Sequence, residues 1–325
     1  MWRHSMTITT NTKLIDIFNL PLFKPMAGQF ISSNTDWFTG GKEQMSLEAL
    51  NKLQPTWAAE DMIYGLERLW AIADQNKEYV IPLNEGANGT PISMPADKPK
   101  TDLPCLLLAG GAYGAVCSMV EAIPVAARMN ALGINCFCLN YRTATPESMV
   151  HGLMPKPLDD IAEAVKHMNT HCHTADYYMA GFSAGGHAAA LWGTKHLGAR
   201  HYGLGQPKAL FLVYPLNSLL SLPAGPIRDY MLQGLFGTGF NSDLTQRYSV
   251  CHHIDKDYPP VWIEKALDDT SIPYKDTELL CSALKEQEVY HHCEMIPEGG
   301  HGFGLGSKTP ASGWVDRAIE WVEGI

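Results

Sequence analysis

From about residue 100 onward the chain alternates between short apolar runs and longer segments whose apolar residues recur at helical spacing. The runs "LPCLLLAGG" (103–111), "NCFCLNYR" (135–142), "DYYMAGF" (176–182), "KALFLVYPL" (208–216), "PVWIEKAL" (260–267) and "VYHHCEMIP" (289–297) have the length and continuity of strands. Between and after them, residues 118–133, 158–171, the segment following Ser183, 276–287 and 314–324 read as helices. Ser118 with Glu121 three positions on predicts a capping box for the first of these, which requires Pro124 to fall in the first turns. Strands without polar alternation, separated by helices, predict a mostly parallel central sheet covered by helices on both faces, an α/β fold.

Two regions break this rhythm. Residues 1–100 carry one strong helix pattern, "TWAAEDMIYGLERLWAIADQ" (56–75), a strand-like run, "KEYVIPL" (77–83), and a Gly/Pro-rich polar segment (84–102) that reads as a loop. They are expected to form an N-terminal extension to a catalytic domain at 101–325, with Trp37, Phe38 and Trp57 as candidate walls of a pocket. Residues 217–259 insert between two strands, with helices expected near 229–236 and 242–249, and are expected to form a small helical cap over the site.

The chemistry concentrates on "AGFSAGGHAAA" (180–190), where Ser183 ends a strand and begins a helix. A hydroxyl on that sharp turn is lifted off the sheet's carboxyl edge, and the turn leaves room only for small residues two positions either side. Gly181 and Gly185 meet that demand, and the helix N-terminus favours negative charge developing beside the serine. Such a nucleophile needs a base, and the base needs an acid to orient it. His301, in the glycine-rich "PEGGHGFGLG" (297–306) after the last strand, suits the first role. Asp268 and Asp269, just after the strand ending at Leu267, both suit the second, and only one can face the imidazole. Backbone N–H groups of Ala184 and of the loop in "LLLAGGAYG" (106–114) are the candidate oxyanion donors.

Composition narrows the field. With 46 % hydrophobic and 18 % charged residues the chain has an ordinary globular balance. A net charge of −10 and the lack of any Lys/Arg cluster argue against nucleic acid or an anionic membrane as partner. No apolar run reaches the ~18 residues of a membrane span, and "MWRHSMTITTNTKL" lacks a secretory h-region. Three of the eight cysteines, Cys105, Cys136 and Cys138, sit in strand-like runs, which favours reduced thiols and a cytoplasmic setting. His252–His253 and His291–His292 are not in metal-ligand spacing, so neither metal nor organic cofactor is expected.

At this point the chain resembles the α/β-hydrolase superfamily, and within it the esterase/lipase branch that holds hormone-sensitive-lipase-like and acetyl-xylan- or feruloyl-esterase-like proteins. "AGGAY" (109–113), "NYR" (140–142), "PLDDIAEAV" (157–165), "GFSAGGH" (181–187), "DDTSIP" (268–273) and "EGGHGF" (298–303) carry the resemblance, in the family's order, over about residues 100–325. It implies Ser183 as nucleophile, His301 as base, Asp269 rather than Asp268 as the acid, and Gly111, Ala112 and Ala184 as oxyanion donors. The chain departs from the family's His-Gly-Gly-Gly or Pro-Gly-Gly-Gly loop at Ala109 and Ala112. The resemblance also implies a packing or hydrogen-bonding role for His187 and an ion pair between Arg142 and Asp160. The expected function is a serine carboxylesterase acting on small-molecule esters with short acyl groups, acetyl above all, on a sugar or another plant-derived alcohol. An amidase or peptidase, and a silent small-ligand binder on the same fold, are the alternatives.

Overall fold

The computed structural model describes residues 7–24, 30, 32–33, 42–75, 78–81 and 90–325. Trp37, Phe38 and parts of the run 77–83 lie outside the described residues.

A seven-stranded sheet organises the molecule. Its strands are β1 (Thr90–Met94), β2 (Cys105–Leu108), β3 (Cys136–Asn140), β4 (Tyr178–Phe182), β5 (Ala209–Val213), β6 (Val261–Ala266) and β7 (His291–Ile296). They lie in the order β1-β3-β2-β4-β5-β6-β7, all parallel except β1, which runs antiparallel to β3. Strands β2 to β6 are buried along their whole length, which is why they read as unbroken apolar runs. The principal helices flanking the sheet are α1 (Ala59–Gln75), α2 (Ala122–Ala131), α3 (Lys156–Cys172), α4 (Ser183–Trp192), α5 (Pro226–Phe236), α6 (Ser242–Arg247), α7 (Tyr274–Glu286) and α8 (Trp314–Glu323). This is the expected mostly parallel α/β architecture, with α5 and α6 inside the 217–259 insertion.

The register positions the site. Leu108 at the carboxyl end of β2 pairs with Leu139 on one side and Gly181 on the other. Chain order reverses at β2, since β3 lies on one side of it and β4 on the other. Ligands in open α/β sheets settle in the crevice that such a reversal leaves at the carboxyl edge. The loop after β2 and the start of α4 meet at that crevice, and the connections leaving β6 and β7 join them from the same edge.

Three local expectations fail. The segment read as a loop contains β1, because Ile92 and Met94 bury their side chains on an edge strand that tolerates Pro91. The strand expected at 77–83 is reduced, among its described residues, to a single bridge between Val80 and Ile92. The capping box does not form. Helix α2 begins at Ala122, and Glu121 makes no cap with its side chain. Its buried carboxylate instead accepts from the Gly110 N–H at 2.5 Å and the Tyr214 hydroxyl at 2.9 Å, while Ser118 Oγ donates to Asn140 Oδ1. A carboxylate removed from water requires strong donors, and these outcompete a helix end. Pro124 does fall in the first turn of α2.

The N-terminal residues share the core. Met62, Leu66 and Leu69 of α1 are fully buried, and Gly65 lies so close to Ile123 and Pro124 of α2 that an added Cβ would stand 2.8 Å from the Pro124 nitrogen. Among the described residues no helix is long and apolar enough to cross a membrane. All eight cysteines are unbridged.

Candidate active site

Ser183 leaves β4 with φ of +52°, a left-handed conformation that costs a residue with a Cβ about 1–2 kcal/mol. The neighbouring glycines permit the turn. A Cβ on Gly181 would stand 2.5 Å from the Gly185 carbonyl oxygen, and one on Gly185 would stand 2.1 Å from that of Leu108. The Ser183 hydroxyl donates to His301 Nε2 at 2.8 Å, and His301 Nδ1 donates to Asp269 Oδ2 at 2.7 Å. The structure thus brings Ser183, His301 and Asp269 into one hydrogen-bonded line. Asp268 is elsewhere: its Oδ1 accepts from the Gly300 N–H at 2.8 Å and so shapes the loop that carries the imidazole.

Asp269 is held from several sides. Its Oδ1 accepts from the N–H groups of Ser271 and Ile272, and its Oδ2 accepts from the buried Lys265 ammonium at 2.5 Å as well as from His301. Burial pushes the carboxyl up, but the His301 and Lys265 interactions outweigh it and hold the group below the usual carboxylate range. The other face of the imidazole meets Tyr214, with ring centroids 4.9 Å apart. Tyr214 donates to Glu121 and accepts from the Gly304 N–H at 2.9 Å, so one buried carboxylate ties the loop after β2 to the loop carrying His301. Burial raises the Glu121 pKa, and the Gly110 and Tyr214 hydrogen bonds draw it part of the way back.

Gly111, Ala112 and Ala184 line the same cavity as Ser183 and His301. Gly111 has φ of +136° and faces the Ala115 carbonyl, which an added Cβ would approach to 2.3 Å. Ala112 and Tyr113 have φ of +52° and +58°, so the loop keeps its tight course although alanine replaces a glycine. His187 is fully buried; it accepts from the Tyr113 hydroxyl at 2.7 Å and donates to the Tyr248 carbonyl at 2.6 Å, bracing that loop against the insertion. Burial draws its pKa down to about 4, so it stays neutral. Arg142 grips the fully buried Asp160 through its Nε and Nη2 and through its own backbone N–H.

The cavity holds about 810 Å³. The insertion supplies one wall through Leu222, Pro226, Ile227 and Met231, and the N-terminal region supplies another through Gln54 and Trp57. Thr56 donates to the His301 carbonyl at 2.7 Å, Ser307 donates its N–H to the buried Asp61 at 3.2 Å, and Lys308 pairs with Glu60 at 2.6 Å. The residues around α1 therefore hold the loop that carries the imidazole. Sequence reasoning missed Thr56, Glu121, Tyr214 and Lys265. Lys265 alone left a trace, a lysine inside a run otherwise destined for burial, where it must find a partner.

A hydroxyl, an imidazole and a carboxylate in line, beside a helix N-terminus and a tight glycine-containing loop, can perform acyl transfer through a covalent intermediate. Known proteins similar in sequence and fold include esterases. A model of the BD-FAE family matches residues 92–284. Endo-1,4-beta-xylanase B of Butyrivibrio fibrisolvens is 26 % identical over 221 residues, which is 64 % of this chain and 34 % of the xylanase. The chain thus spans about a third of the length of that relative. The crystal structure of an acetyl ester-xyloside bifunctional hydrolase from Caldicellulosiruptor lactoaceticus superposes with a TM-score of 0.64 at 26 % identity, covering 75 % of this chain and 95 % of that one. The carboxylesterase Cest-2923 of Lactobacillus plantarum WCFS1 shares the fold at 20 % identity, with a TM-score of 0.60 over 75 % of this chain and 97 % of that one.

Proposed function

This chain belongs to the BD-FAE family of α/β-hydrolase esterases, and from that premise we propose that it is a serine carboxylesterase that removes short acyl groups, acetyl first, from a sugar or another plant-derived alcohol. The observation that carries the reading is the hydrogen-bonded line from Ser183 through His301 to Asp269, whose first two members line the cavity. Likeness to a xylanase and to an acetyl ester-xyloside hydrolase supports acetylated xylose-based sugars as the substrate class.

In the reaction, His301 Nε2 takes the Ser183 proton as Oγ attacks the ester carbonyl. Asp269 keeps the imidazole in the tautomer with its proton on Nδ1 and stabilises the cation that forms. The N–H groups of Gly111, Ala112 and Ala184 receive the oxyanion of the tetrahedral intermediate. The intermediate collapses as His301 returns the proton to the alkoxy leaving group. Water, activated by the same imidazole, then releases the acid from Ser183.

The test is hydrolysis of p-nitrophenyl acetate, butyrate and octanoate by the purified protein and by Ser183→Ala, followed by acetylated xylo-oligosaccharides. Turnover favouring acetate, falling at least ~10³-fold in the variant, is expected. Inert folded protein on all esters, or turnover unchanged in Ser183→Ala, would overturn the reading.

A further inference from the structure

Lys265 takes no part in the steps above, yet it touches their acid directly. It lies on β6 with no part of its side chain exposed. Its ammonium donates to Asp269 Oδ2 at 2.5 Å and to the Ile272 carbonyl at 2.6 Å. The same Oδ2 accepts from His301 Nδ1, so one carboxylate oxygen serves both the Lys265 ammonium and the imidazole. Removing an ammonium from water is costly unless a charge answers it, and a solvent-facing lysine would have cost nothing. Burial pulls the Lys265 pKa down while Asp269, and more weakly Asp276, oppose that pull.

We propose that Lys265 is a positioning residue that fixes Asp269 under the imidazole and, by offsetting the Asp269 charge, extends ester hydrolysis to lower pH. The proposal rests on the reading of Ser183, His301 and Asp269 as the reacting set. A lone buried carboxylate stabilises an imidazolium strongly and so keeps a base protonated, and inactive, to higher pH. An ammonium on the same oxygen weakens that hold without loosening the geometry, because Ser271 and Ile272 still fix Oδ1. Other ionisable groups also face the imidazole. Asp268 stands behind Gly300, Glu121 and Tyr214 lie on its far side, the Cys117 thiol is beside Glu121, and Arg228 of the insertion lines the cavity. Asp276 lies behind Lys265, held by the N–H groups of Asn217 and Ser218 and by the Ser221 hydroxyl. From the N-terminal side the uncharged Thr56 and Trp57 meet the loop beside the imidazole, and the charged Glu60 and Asp61 meet it further along, at Lys308 and Ser307. A change at Lys265 alone leaves each of these side chains present, and Lys265 also holds the Ile272 carbonyl.

The experiment is the pH profile of kcat/KM on p-nitrophenyl acetate for the wild-type protein, Lys265→Met and Lys265→Gln. Both variants remove the charge, and glutamine retains a donor for Asp269. The acid limb is expected to move up by about one pH unit in both, whatever happens to the plateau. A limb that stays in place in an active variant overturns the proposal, even if the plateau falls, since that is what loss of structural support alone would give. Should neither variant fold, ¹⁵N-lysine NMR of the wild-type protein decides. A slowly exchanging ammonium resonance that persists across the pH range of activity is expected, and a neutral amine there would overturn the assignment. Wild-type protein inert on every ester would instead sink the esterase reading, so the two failures are distinct.

Discussion

Ser183, Ala112 and Tyr113 all hold φ between +52° and +58° without being glycine, and the first two line the reactive cavity. At about 1–2 kcal/mol each, that strain persists only because neighbours fix it. The chief brace is His187, which binds the Tyr113 hydroxyl on one nitrogen and the Tyr248 carbonyl on the other. The brace works only while His187 is neutral. Its folded pKa, about 4, lies below the ordinary value near 6.5, so the unfolded chain binds a proton that the folded one refuses between those limits. Stability therefore falls as pH drops from about 6.5 to 4, by about 3 kcal/mol from this residue. Denaturant unfolding of the wild type and of His187→Gln across that window is expected to show a shallower pH slope in the variant. Equal slopes would show that His187 does not titrate as its burial requires. The residue scale is also where the sequence says least. The spacing of Ser183, Gly181 and Gly185 is legible because the turn restricts its own neighbours. The partners of Glu121 are not, since a Ser-x-x-Glu pattern describes a local option and Gly110 and Tyr214 are distant competitors.

Among the elements, the strands with no polar alternation were the most legible, since burial on both faces leaves little freedom of composition. The edge strand β1 was hidden because Pro91 and the polar residues around it look like loop, and only its pairing with β3 distinguishes it. The connections leaving β6 and β7 carry Asp269 and His301, and the second is steadied from outside the sheet by Thr56. Replacing Thr56 with valine keeps the shape and removes the one hydroxyl that meets the His301 carbonyl. Stability is expected to fall by about 1 kcal/mol. The kcat on acetate esters is expected to fall roughly tenfold with KM little changed, since a looser loop places the imidazole correctly for less of the time. A loss of stability with kcat intact would limit Thr56 to adhesion.

At the scale of the whole molecule, the family match begins at residue 92, yet helix α1 lies before it and packs into the common core. Its fully buried Met62, Leu66 and Leu69 represent about 5–9 kcal/mol of apolar burial, comparable with the net stability of an ordinary domain. A fragment spanning 90–325 is accordingly expected to be aggregated or loosely packed. Size-exclusion chromatography and thermal unfolding followed by near-UV circular dichroism would check it, and a monomer with a sharp transition would refute the expectation. The sequence separated this region from the rest because its pattern differs from the strand–helix alternation. Pattern alone could not reveal that the two share one interior.

The Thr56–His301 hydrogen bond spans 245 residues. During synthesis the nucleophile turn leaves the ribosome well before the imidazole loop, and the Thr56 segment that will receive that loop leaves earlier still. A nascent chain can thus hold a shaped crevice and an inert serine at once. Reactivity arrives only when the later-made loop closes onto a segment made well before it.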